Sequence, residues 1–187
     1  MKKVLKFLII LGFAAISFNA CNKADNPVEP NNGEPTVTNP PHMLKITSIE
    51  ITAFPTAKPN GEKWDYHIFS NSPTRRPDIY VELKSFGSST FIYQSDVKED
   101  ALLENAYSYY SFSQPFSTGG LSLPYNLAYK STYTIDLMDD DGLSADDWMG
   151  SLDITPEDLF NINSPDFVHK SITNGSTTFI INGQWVY

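Results

Sequence analysis

Apolar and polar residues alternate along much of this chain with the two-residue period of a half-buried strand. Residues 44–54, Leu-Lys-Ile-Thr-Ser-Ile-Glu-Ile-Thr-Ala-Phe, are rich in β-branched side chains and partly alternate. Residues 79–84, 90–93, 132–138, 148–154 and 177–186 read the same way, and clusters of Gly, Pro, Asn and Ser separate them. Only residues 155–160 have helix chemistry, with Thr155 suited to an N-cap and Pro156 to the first helical position. The pattern predicts an all-β fold, an antiparallel β-sandwich. Aromatics make up 13% of the chain, enough to fill a two-sheet core with tyrosine hydroxyls at its rim.

The first forty residues break this pattern. Lys2, Lys3 and Lys6 precede an apolar run over residues 7–18 that is short for a bilayer span, and Ala20-Cys21 follows. Residues 1–20 thereby resemble a bacterial lipoprotein signal peptide, which implies a lipidated Cys21 as the first mature residue. Cys21 is the only cysteine, so it has no disulfide partner within the chain. Asn26-Pro27, Glu29-Pro30, Glu34-Pro35 and Asn39-Pro40-Pro41 are breaker signals in a stretch with almost nothing apolar to bury. Residues 21–42 are accordingly expected to be a disordered tether, and residues 43–187 one folded domain. Lys23-Ala24-Asp25 resembles the charged export tags of Bacteroidetes surface lipoproteins. The expected location is the bacterial cell envelope, anchored by lipid at the outer membrane.

Charge narrows the partners. The formal charge is −9; removing the leader takes away three of 13 basic residues and none of the 22 acidic ones, leaving −12. That excludes nucleic acid, which needs a basic face. It also argues against plain electrostatic attraction to anionic lipid. Arg75 and Arg76 are the only adjacent basic pair in the domain.

The acids are not evenly spread. Asp139, Asp140, Asp141, Asp146 and Asp147 fall within nine residues, between two strand-like segments. Two carboxylates ~4 Å apart repel by roughly 4 kcal/mol at an effective dielectric of about 20. A hard divalent cation with oxygen ligands would compensate. An acidic turn whose aspartates cap backbone groups is the metal-free alternative.

The stretch from Leu137 to Gly150 resembles the third calcium-binding loop of C2 domains, the calcium- and lipid-binding β-sandwich modules. Asp139 and Asp141 match its Asp-x-Asp pair, Ser144 the serine at the tip, Asp147 the final aspartate, and Trp148-Met149-Gly150 the exit into the next strand. Upstream, Pro77-Asp78-Ile79-Tyr80-Val81 resembles the segment that leaves the first calcium loop, with isoleucine where the family usually has proline. Asp65, after Trp64, fits the aspartate that ends the preceding strand, although the insert at 66–76 lengthens this loop.

The resemblance covers about residues 43–187 and implies a C2-like sandwich of eight strands. No strand precedes residues 44–54 and a strong one closes the chain, which favours the permuted (type II) order. It implies calcium as the cofactor, with Asp65, Asp78, Asp139, Asp141 and Asp147 as ligands. Asp140 points the other way by parity and Asp146 matches no usual ligand, so neither is included. Glu104 and Asn105 fall in the region of the family's second loop without a clear motif.

Other chemistry finds little support. His42, His67 and His169 are scattered without metal spacing, and neither a glycine-rich phosphate loop nor a nucleophile motif is present. No catalytic apparatus is expected. Three readings follow. In the first, calcium orders apical loops for a partner of a lipid-anchored envelope protein. In the second, calcium bridges the loops to phospholipid headgroups while Leu143, Ile68 and Phe69 form an apolar tip. In the third, calcium is a structural staple in a surface lipoprotein that binds glycan or another envelope protein. Fold alone does not choose among them.

Overall fold

In the computed structural model, residues 39–64, 76–103, 108–114, 122–142 and 145–187 are described. All fall in the unit Pro35–Tyr187. The leader, Cys21 and most of the tether lie outside the described residues. At the tether's end, Pro41 is buried, the His42 amide donates to Val186 O (2.8 Å), and Tyr129 N donates to His42 O (3.1 Å).

Among the described residues, nine strands and one short helix follow in order: β1 (Met43–Ala53), β2 (Ile79–Ser85), β3 (Phe91–Gln94), β4 (Tyr110–Phe112), β5 (Tyr125–Ala128), β6 (Tyr133–Asp139), β7 (Asp147–Ile154), α1 (Pro156–Leu159), β8 (Phe167–Asn174) and β9 (Thr177–Val186). Every pairing is antiparallel. One sheet runs β4-β1-β9-β8 and the other β3-β2-β6-β7, with β5 also paired to β1. β5 takes the Met43–Ile46 half of β1 and β4 the Ile49–Ile51 half, so the two share one edge. The nine segments thus fill eight strand positions. The closing strand β9 pairs along nearly all of the opening strand β1, the placement expected of the permuted order.

The partial alternation of β1 has a structural cause. Its buried positions are Leu44, Ile46, Ile49 and Ile51, and the register against β9 slips between Ile46 and Ser48. The bulge adds one residue and returns the apolar side chains to the inner face. With Val81, Leu83, Ile135, Leu137, Phe112, Phe179 and Ile181, all inaccessible to solvent, they form the core between the sheets. Each such side chain contributes about 1.5–3 kcal/mol by burial.

Thr155 corrects one expectation. It precedes α1, but its side chain makes no cap hydrogen bond; its hydroxyl pairs with that of Thr132 at 3.0 Å. A four-residue helix depends little on a cap when Glu157 N is already held by Tyr129 O (2.9 Å).

Candidate metal centre

The acid-rich segment is the turn of the β6–β7 hairpin. Register would place Asp139 opposite Trp148, but one extra residue on β7 shifts it: Leu137 pairs with Gly150, Met138 with Trp148, and Asp139 with Asp147. The bulge therefore sets two carboxylates face to face at the end of the sheet, an arrangement that is unfavourable unless compensated. Gly150 lies within it for a packing reason. A Cβ there would meet Thr177 Oγ1 at 2.5 Å, so any larger residue forces the Thr177 side chain at the start of β9 to shift.

Asp139 is inaccessible to solvent, and its Oδ1 accepts the Asp78 amide proton at 2.8 Å. Asp141 follows two residues later, partly buried, before Gly142 turns the chain at φ +60°. Asp139, Asp141 and Asp147 each present a carboxylate oxygen, and the three atoms lie within 4.8 Å of one another. No other such acidic group of three occurs among the described residues.

The remaining site residues are placed differently. Asp78 adjoins this group but is not one of the three. Its carbonyl accepts from Asp140 N (2.8 Å), and its Oδ1 accepts from Asp100 N (2.6 Å), holding the turn where Asp100 has φ +51°. Burial, and then the charges of Asp100, Glu99 and Asp140, push the Asp78 carboxyl above its ordinary value despite that hydrogen bond. Asp65, Ile68, Phe69, Leu143, Ser144, Glu104 and Asn105 lie outside the described residues.

The two aspartates omitted from the expected ligands have local tasks. Asp140 Oδ1 accepts from Gly142 N at 2.9 Å, an Asx-type turn. Asp146 Oδ2 accepts from the Tyr80 hydroxyl at 2.5 Å and ties the far side of the loop to β2. Burial, followed by that bond, pushes the Tyr80 phenol up.

A residue that the sequence did not single out completes the electrostatics. Lys58, in the loop after β1, forms an ion pair with Asp147 Oδ2, although 89 positions separate them. Its ammonium also lies 5.8 Å from the centre of the Trp64 ring. Burial pushes the lysine down, but the bond to Asp147 and the charges of Asp147, Asp141 and Asp139 outweigh it and hold the ammonium above its ordinary value. Nothing local in the sequence marks Lys58. The only available signal was the general requirement that clustered carboxylates be compensated.

The donor set fits a hard cation. Three carboxylate oxygens converge, and no sulfur or imidazole is among them. The spacing lets one ion touch all three with small side-chain adjustments. An ammonium already at the edge of the cluster marks it as a place where positive charge is stabilised.

No protein-family model matches the chain, and no curated protein matches it. Solved structures do. Human GIVD cytosolic phospholipase A2 is similar over 79% of this chain and 17% of its own, at 10% identity and a TM-score of 0.47. The pair of C2 domains of extended-synaptotagmin 2 is similar over 94% of this chain and 48% of its own, at 17% identity and a TM-score of 0.43. This chain spans less than half the length of either.

Proposed function

We propose that this protein is a non-catalytic calcium-binding module of the cell envelope, tethered through a lipidated Cys21, in which calcium orders the apical loops for a partner. The observation that carries this reading is the convergence of Asp139, Asp141 and Asp147 within 4.8 Å, with Asp139 fully buried. Burying a carboxylate beside two others is costly without a cation. Calcium accepts six to eight oxygens in irregular geometry, whereas magnesium demands a regular octahedron and keeps its waters. Three protein carboxylates on a hairpin turn suit the former. An affinity of ~10⁻⁴–10⁻³ M is expected of an extracellular module.

Titration calorimetry with calcium and with magnesium tests the proposal. Saturable binding of calcium at sub-millimolar to millimolar concentration, with magnesium at least tenfold weaker (about 1.4 kcal/mol), supports it. No heat with calcium at either end of that range rejects it.

One observation favours calcium-dependent contact with phospholipid as a second reading. Trp148 follows Asp147 directly and is 58% exposed. An indole beside a carboxylate-bound cation suits a lipid–water boundary, with the ring among headgroups and the ion on phosphate. Vesicles of phosphatidylcholine and phosphatidylserine separate the readings: calcium-dependent flotation supports lipid contact, and calcium binding without flotation leaves the module reading alone.

A further inference from the structure

The loop from Pro55 to Trp64 is built to hold one cation over the acidic cluster. Trp64, 2% exposed, anchors its base by donating Nε1–H to Pro55 O at 2.7 Å. Above that anchor a tight turn closes: Lys58 N donates to Glu62 O (2.8 Å) and Gly61 N to Lys58 O (2.9 Å). Asn60 braces it, with Oδ1 accepting from Glu62 N (3.0 Å) and Nδ2 donating to Glu62 Oε2 (2.8 Å). Gly61 sits at φ +86°, a conformation that few other residues adopt readily. The product of this turn is a Lys58 side chain that is 22% exposed and rests on the Trp64 ring, with its ammonium on Asp147 Oδ2.

An ion that touches Asp139, Asp141 and Asp147 must lie ~2.3–2.6 Å from an oxygen of each. The ammonium occupies one of those carboxylates from the same cluster. Two positive charges sharing one carboxylate repel; the Asp147 side chain is 41% exposed, so water screens part of that repulsion, while Asp139 on the other side of the cluster is buried. We propose that Lys58 is a tethered counter-cation that competes with calcium for Asp147. The site then binds calcium more weakly than its carboxylates alone would, and calcium releases Lys58 together with its loop. This rests on the calcium reading above. It goes further by assigning affinity control, and the moving element, to a residue that is not a ligand.

The test uses the full-length protein, Lys58→Gln and Lys58→Arg. In titration calorimetry Lys58→Gln is expected to bind calcium about tenfold more tightly than wild type, the factor for an ion pair somewhat stronger than a fully exposed one. Lys58→Arg is expected to stay near wild type. In thermal unfolding with chelator, Lys58→Gln is expected to melt below wild type and to recover with calcium. A variant that folds only with calcium supports the proposal equally. A second readout leaves the lysine in place: amine acetylation of wild type, mapped by mass spectrometry, should rise severalfold at Lys58 on adding calcium, while Lys84 of β2, paired with Glu82 (2.7 Å) and Asp136 (3.0 Å), holds steady. Equal or weaker calcium binding by Lys58→Gln, with wild type binding normally, overturns the role of Lys58 and leaves the calcium site standing. Calcium binding by neither protein overturns both, and a lower melting point of Lys58→Gln in chelator would then identify Lys58 as a permanent partner of Asp147.

Discussion

Replacing Asp139 by asparagine perturbs the site at its centre while sparing the fold. The side chain is fully buried, its Oδ1 accepts the Asp78 amide proton, and Asp147 stands opposite it in the hairpin. Asparagine keeps the volume and an Oδ1 acceptor but removes the charge. Carboxylate oxygens at the 4.8 Å limit of this cluster repel by about 3 kcal/mol per pair at an effective dielectric of ~20. Asp139 belongs to two such pairs, and Lys58 offsets part of their cost. With chelator, Asp139→Asn should therefore melt at or above the wild-type temperature. With calcium the order should reverse. A dissociation constant of ~0.1 mM at ~2 mM calcium adds roughly 1.8 kcal/mol to wild-type stability, or about 4–7 °C for a domain of this size. Asp139→Asn should lose most of that gain. Differential scanning calorimetry of both proteins, with chelator and with calcium, gives all four melting points. A calcium shift that survives undiminished in the Asp139→Asn, Asp141→Asn double variant refutes the assignment.

Further predictions reach the surroundings of the cluster. Asp78 has a raised folded pKa, so the stability it contributes is fully present below its unfolded value and is lost as pH rises through the folded one. Asp78→Asn keeps an acceptor for Asp100 N, and the decline in urea midpoint of the chelated protein across the carboxylate range should flatten; an unchanged slope would count against this origin. Gly150→Ala should cost about 1–3 kcal/mol by overpacking against Thr177, with Thr177→Ala recovering part of the loss in the double variant; full stability in the single variant would show that β7 can move away from β9. Trp148→Ala should leave the calcium shift intact and, if the loops meet lipid, weaken calcium-dependent vesicle flotation severalfold (about 1 kcal/mol). Unchanged flotation would remove Trp148 from any membrane contact.

Much of the sandwich was legible because its long strands carry their own signal. β1, β2, β6, β7 and β9 each place alternating apolar residues on an inner face, and their boundaries fall within one residue of the sequence reading. β4, β5 and β8 were not legible. β4 has three residues and one buried side chain, Phe112, while β8 runs Phe-Val-His-Lys-Ser-Ile-Thr-Asn with only Val168 fully buried. These are edge segments whose strand character comes from pairing with β1 and β9, which no local pattern encodes. The site divides along the same line. Asp139, Asp141 and Asp147 share one hairpin, so their spacing already implied convergence. The part of Asp78 in holding the Asp100 turn, and the arrival of Lys58 from another loop, depend on the tertiary packing of segments distant in sequence.

Thermal unfolding of the full-length protein in chelator, magnesium and calcium decides whether the acidic hairpin holds calcium. A calcium site with a dissociation constant of ~0.1 mM raises the melting point by about 4–7 °C at ~2 mM calcium, and magnesium barely moves it. Identical melting points in all three conditions would contradict a calcium site, and would leave Lys58 as the cation that the three carboxylates require.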